Sequence, residues 1–145
     1  MRIVIEDAED GKEDEIIIRC HEVDEHLMQL IYSLKMHKNK LACLKQGAIY
    51  MVSPADIYYF EAVDNKIFVY GKEQVYESKY KLYEIEEMYS HTEFFRASKS
   101  TILNLAKIRK VVPIFNGRFE ALLDNDEKII ISRQFVPGLK NKLGL

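Results

Sequence analysis

Between residues 49 and 132 the apolar residues come in short runs rich in Ile, Val, Tyr and Phe, each closed by turn formers, and this rhythm limits the fold more than any other feature. Runs so short cannot supply the successive turns of a stable helix, but they match half-buried strands joined by tight connections. Strands are expected over residues 49–52, 57–62, 67–70, 74–77, 94–98, 107–115, 118–123 and 128–132. The breaks at 53–56, 63–66 and 124–126 are built from Ser, Pro, Asp and Asn, and Asn116-Gly117 is the strongest hairpin signal in the chain. Ser78 is placed to cap a helix running to about Tyr89, with Leu82, Ile85 and Tyr89 on one face. Phe135, Leu139 and Leu143 recur every four residues and predict a short closing helix with Pro137 in its first turn.

The segment before this β-rich stretch reads differently. Residues 1–6 alternate and 16–18 are three isoleucines, so both are expected as strands, separated by a polar turn at 7–12. Val23, Leu27, Leu30, Ile31 and Leu34 share a helical face, predicting a helix over 23–36. A lysine-rich stretch around 37–43 reads as a linker. The expected organisation is therefore a small ββα appendage over 1–43 followed by a mostly β domain with short helices over 44–145. At about 40 residues the appendage is too small to hold a core alone.

Composition removes several classes of function. No apolar run approaches a bilayer span, and the acidic start resembles neither a secretory signal nor a transit peptide, which points to the cytoplasm. Cys20 and Cys43 are too few for a disulfide scaffold and are expected as small buried hydrophobes. His21, His26, His37 and His91 lack metal-ligand spacing and read as exposed or capping residues. With no phosphate loop, nucleophile elbow or Cys/His dyad, neither an enzyme nor a bound cofactor is expected. The net charge is −2, but it is unevenly spread. Residues 91–145 carry ten basic and five acidic groups, against seven and ten over 1–45 and four and eight over 46–90. A basic third on an acidic molecule is a footprint of phosphate binding, although a charged face is more often simply solvated.

Three motifs stand in a specific order. Ile57, Tyr59, Phe60 and Glu61 lead into a polar turn; Phe94, Phe95, Arg96, Ser98, Lys99, Ser100, Ile102, Leu103 and Asn104 follow; Ser132, Arg133 and Phe135 precede the final helix. Together they resemble the LytTR family of bacterial DNA-binding domains, over residues 44–145. The resemblance implies antiparallel β-sheets that bind double-stranded DNA by placing loops in successive major grooves and bending it. It also implies paired, directly repeated sites and a homodimer at least on DNA. The first 43 residues are too short for the receiver domain that most family members carry. The chain therefore resembles the stand-alone branch, which often accompanies a small membrane protein.

The resemblance and the residues together nominate the contacts. Asn65 and Lys66 lie in the first loop, where Asp64-Asn65 is equally a simple turn former; an amide can read adenine and an ammonium guanine. Arg96, Lys99 and Ser100 lie in the second, and Ser132, Arg133 and Gln134 at the start of the last helix. Gln134 replaces the family's usual second basic residue, and Lys99 a common Arg or Asn. Asn116 lies in the Asn-Gly turn, where it is more simply a hairpin tip, and Arg118 follows that turn. Lys107, Arg109, Lys110 and Arg118 are expected to steer and anchor rather than specify. Asn104 reads as structural, and Tyr58, Tyr59, Phe60, Phe94, Phe95 and Phe119 as sheet core. The alternative is a protein-interaction module using the basic third. A DNA reader needs Lys66, Lys99 and Arg133 on one face, and an interaction module does not.

Overall fold

The computed structural model describes residues 2–145, with side chains described throughout except at Ser33 and residues 35–38. Helix α1 (Glu25–Lys38) comes first, followed by β1 (Leu41–Lys45), β2 (Ala48–Val52), β3 (Tyr59–Val63), β4 (Lys66–Tyr70), β5 (Val75–Ser78) and α2 (Leu82–Met88). Then come β6 (Phe94–Arg96), β7 (Thr101–Asn104), β8 (Ile108–Pro113), β9 (Phe119–Leu123), β10 (Lys128–Ile131) and α3 (Val136–Lys142). Every strand pairing is antiparallel. A seven-stranded sheet runs β2-β1-β5-β4-β3-β7-β6, and a three-stranded sheet runs β10-β9-β8.

The two-residue period of a strand sorts the apolar residues into two cores. Along β3, Phe60 joins a cluster with Val69, Ile102, Leu41, Cys43, Leu82 and Ile85, which places α2 on that side of the large sheet. Its neighbour Tyr59 joins Leu103, Ala121, Leu123, Ile131, Val136 and Leu139, which includes residues of the small sheet and α3. The large sheet is thus apolar on both faces at β3 and β7. Ile57, Tyr58, Tyr59 and Phe60 are buried in succession, so this stretch reads as an unbroken hydrophobic run rather than an alternation. Gly138 fixes how α3 sits, since a Cβ there would lie 3.3 Å from the Phe95 ring.

The β-rich reading holds for each strand expected after residue 49, with ends shifted by a few residues. Several expectations change. The described part of 1–6 and all of 16–18 form no strand, so the ββα unit reduces to its helix; Met1 lies outside the described residues. Residues 41–45, read as linker, form β1, whose Leu41 and Cys43 are buried in the first core; this strand runs across the expected boundary at 43/44. Residues 101–104, read as part of a loop, are β7. Cys20 is exposed, unlike Cys43, because no sheet forms around it.

Helix starts follow local chemistry. Asp24 Oδ1 accepts from Leu27 N at 2.8 Å and caps α1. Helix α2 begins at Leu82 rather than at Ser78: Ser78 ends β5, and Glu84 Oε1 accepts from Lys81 N at 3.1 Å, half of a capping box. Helix α1 is seated through buried Leu27 and through Tyr32, whose ring stacks on exposed His91 at 5.4 Å. The expectation for His37 lies outside the described side chains. Among the described residues no helix is long and apolar enough to cross a membrane.

Candidate nucleic-acid interface

The nominated residues fall in four connections. The first is the β3–β4 hairpin. Asp64 and Asn65 both take left-handed backbone angles (φ 50 and 63°), the two-residue turn whose twist suits right-twisted strands. Asn65 and Lys66 are exposed, and Lys66 pairs with Val63 at the mouth of the turn.

The second connection, residues 97–100, is held from inside by Arg96. Its Nε donates to the Ser98 carbonyl at 2.8 Å and its Nη2 to the Lys99 carbonyl at 2.7 Å, while Nη1 pairs with Glu86 at 3.1 Å. Three nitrogens of the planar fork are thus engaged with the protein, and the chain reversal is built around them. Ser98 Oγ accepts from Ser100 N at 3.2 Å, closing a local serine turn. Lys99 and Ser100 are left exposed.

The third connection begins at Ser132, and the fourth is the 114–118 hairpin. Asn116 and Gly117 are left-handed (φ 68 and 72°), and Ile114 N donates to Arg118 O at 2.9 Å. Arg133, Gln134 and Asn116 are exposed. Arg118 is half-buried, its guanidinium 5.9 Å from the Phe115 ring centroid and its buried Nε without a hydrogen-bond partner.

Direct contacts join these connections in series. Ala62 N, beside the first, donates to Ser100 O of the second at 2.8 Å. Ser132 of the third donates from N (2.9 Å) and Oγ (3.3 Å) to the Ala97 carbonyl of the second. Ser132 therefore ties two loops together rather than capping the helix that follows. The Arg133 stem lies across Gly117 of the fourth, so closely that a Cβ there would sit 2.8 Å from Arg133 Cδ. Register agrees: Glu61 pairs with Thr101 and Phe119 with Ile131, so the first connection abuts the second and the fourth abuts the third. The four connections that carry the ten nominated residues are therefore each in contact with the next.

Lys66, Lys99 and Arg133 on these connections make no salt bridge among the described residues, so their charge is uncompensated. Two of the other expected anchors are engaged elsewhere. Arg109 pairs with Asp126 at 3.0 Å, and Lys107 lies 5.0 Å from the centroid of the Tyr58 ring. Both belong to the opposite end of the small sheet, where Asp124 N bonds Lys107 O. There the Tyr58 hydroxyl donates to Asp124, which pushes the Tyr58 pKa up to about 12.

Asn104 is structural, as its place in an apolar run suggested. Its Nδ2 donates to Ile57 O at 2.8 Å and its Oδ1 accepts from Ala106 N at 3.1 Å. The nominated aromatics are buried or half-buried in the cores. Two positioning roles escaped the sequence reading. Gly117 makes room for Arg133, a contact for which the Asn-Gly pair was a partial signal. Ala97 offers its carbonyl to Ser132, and nothing in the sequence marks it.

Comparison with known proteins agrees with this architecture. The LytTr DNA-binding domain family matches residues 47–144. The sensory transduction protein LytT of Enterococcus faecalis is 36% identical over 100 residues, covering 69% of this chain and 41% of the relative. The transcriptional regulatory protein YpdB of Escherichia coli K12 is 31% identical over 103 residues, 70% of this chain and 42% of the relative. The chain thus spans about four tenths of the length of these relatives. A solved LytTr DNA-binding domain from a Bacillus cereus response regulator superposes with a TM-score of 0.69 at 27% identity, covering 74% of this chain and 99% of that domain. From its motifs, its paired sheets and these matches, the chain belongs to the LytTR DNA-binding domain family.

Proposed function

We propose that the protein is a sequence-specific transcription regulator that reads double-stranded DNA through the loops of these connections. The observation that carries the reading is the placement of Lys66, Lys99 and Arg133, exposed and without a salt bridge among the described residues, on three connections hydrogen-bonded in series. A protein-interaction module has no need of that arrangement. In this reading the exposed cations and the amides beside Ser132 hold phosphates and supply most of the affinity. Asn65, Lys99 and Gln134 meet base edges in successive major grooves. Ser100, Asn116 and Arg118 position the backbone between them. Arg96 acts by holding the second loop rather than by touching a base. The DNA bends so that these loops reach both grooves, and two protomers occupy paired, directly repeated sites. The reading involves no catalytic step, and its place of action is the cytoplasm.

The test is a gel-shift titration against the DNA upstream of the gene, with excess nonspecific duplex, at two salt concentrations. A competitor-resistant shift that disappears in Lys99→Ala/Arg133→Ala supports loop-based reading. With about 5 phosphates neutralised per protomer, log affinity falls with log salt at a slope of about −4 to −5. A double variant that binds like wild type removes these loops from the interface. A genome-wide selection of bound fragments separates a different operator from an absence of specific binding.

A further inference from the structure

The segment before α1 presents an unusual surface. Ile3, Ile5, Ile16 and Ile17 are 84, 92, 71 and 62% exposed, although β-branched runs of this kind favour sheets. Residues 2–24 form no strand. A turn between the runs is nevertheless in place: Lys12 N donates to Glu9 O at 3.1 Å, Lys12 Nζ meets Glu9 Oε2 at 2.7 Å, and Gly11 has φ 83°. Arg2, Val4 and Glu6 from one run, and Glu15, Ile17 and Arg19 from the other, border one open cleft. A hairpin is thus bent but not zipped.

Charge opposes its closing. Closing the hairpin about this turn, in the register that sets Glu9 opposite Lys12, brings Arg2 opposite Arg19, Glu6 opposite Glu15 and Asp7 opposite Asp14. Like charges directly opposite one another destabilise an antiparallel pair. Each run taken alone is a charge palindrome: Arg2-Ile-Val-Ile-Glu6 and Glu15-Ile-Ile-Ile-Arg19. Such a sequence complements a second copy of itself, run antiparallel.

We propose that these two runs are a self-association surface whose partner is a second copy of this chain. Around a two-fold axis through Ile17, Glu15 meets the partner's Arg19 and Arg19 meets the partner's Glu15. Further out, Lys12 meets the partner's Glu22. The same symmetry about Val4 sets Arg2 opposite the partner's Glu6. A closed two-fold contact of this kind uses one patch twice. A lone two-stranded ribbon is marginal in water, but two runs from each copy supply four strands and bury isoleucines now in solvent. This contact needs no DNA, and because it is two-fold it is separate from the head-to-tail arrangement of two protomers on directly repeated sites.

The experiment is sedimentation equilibrium of the full chain without DNA. Wild type, Glu15→Arg, Arg19→Glu and the double variant Glu15→Arg/Arg19→Glu are compared at low salt, with circular dichroism confirming the fold of each. Wild type is expected to be dimeric. Each single variant, which turns two attractive pairs into two repulsive ones, is expected to weaken association by about tenfold or more, and the double variant to restore it. Mixing the two single variants is expected to give a heterodimer, since the changed position 15 of one chain then faces the changed position 19 of the other with opposite charge. A monomeric wild type, or a dimer indifferent to these reversals, overturns the proposal. Operator binding is measured separately, so the loop-reading proposal stands or falls on its own.

Discussion

Arg96 shows how a residue in a family motif can carry a different task from its neighbours. Two of its nitrogens hold the carbonyls of Ser98 and Lys99, so its loss frees the loop instead of deleting one contact. Arg96→Lys keeps the charge but loses the fork. It is expected to lower the urea midpoint and to weaken DNA binding together. Lys99→Ala is expected to leave the midpoint unchanged and to cost about 1–3 kcal/mol of binding if the ammonium meets a base edge. A loss below about 0.5 kcal/mol on the cognate site would remove Lys99 from the contacts. Gly117→Ala meets both a left-handed backbone and the Arg133 stem. It is expected to cost about 1–2 kcal/mol of stability from the backbone alone, read by urea titration. It should also weaken DNA binding by moving Arg133. The sequence marked Arg96 and Asn116-Gly117 as special by type and position. It could not say that Arg96 points back at its own loop, because that depends on a chain reversal that the side chain itself stabilises.

At the scale of elements, what was legible depended on whether the signal was local. The Asn-Gly hairpin, the Pro137 start of α3 and the β3–β4 turn each rest on residues that dictate their own backbone, and all were read correctly. Strand β1 was missed because Leu-Ala-Cys-Leu-Lys is short and set among lysines; its strand state comes from pairing with β2 and β5. The two isoleucine runs failed in the opposite sense, since a strand needs a partner and local propensity does not provide one. Deleting residues 1–23, which keeps the Asp24 cap of α1, is therefore expected to leave the thermal midpoint of the isolated chain within a few degrees of wild type at low concentration. A chain beginning at 47, where the family match begins, loses Leu41 and Cys43 from the first core. It is expected to melt well below the full chain, because truncating a single buried large side chain already costs about 2–5 kcal/mol. Equal melting curves for the two deletions would refute this assignment of β1.

Across the whole molecule, the two cores give a common response to alkali. Tyr58 is pushed up to about 12 by its bond to Asp124 and Tyr89 to about 12 by burial, and burial also raises Tyr59 and Tyr70. Burial pushes the Cys43 thiol from 9.0 to about 11. In each case the unfolded chain gives up its proton first, so above about pH 9 it binds fewer protons than the native state and stability falls as pH rises. The urea midpoint is expected to be lower at about pH 10.5 than at about pH 8. An unchanged midpoint would mean these hydroxyls and the thiol are not held in their neutral forms by the fold. The bond between Ser132 and the Ala97 carbonyl has a consequence for how such a regulator can diverge. Because one carbonyl anchors two loops, a substitution that resets the second loop also displaces the third. If the loops read the operator as proposed, new preferences are expected to need paired changes, and swapping a single loop between relatives is expected to transfer recognition only when its neighbour is swapped with it.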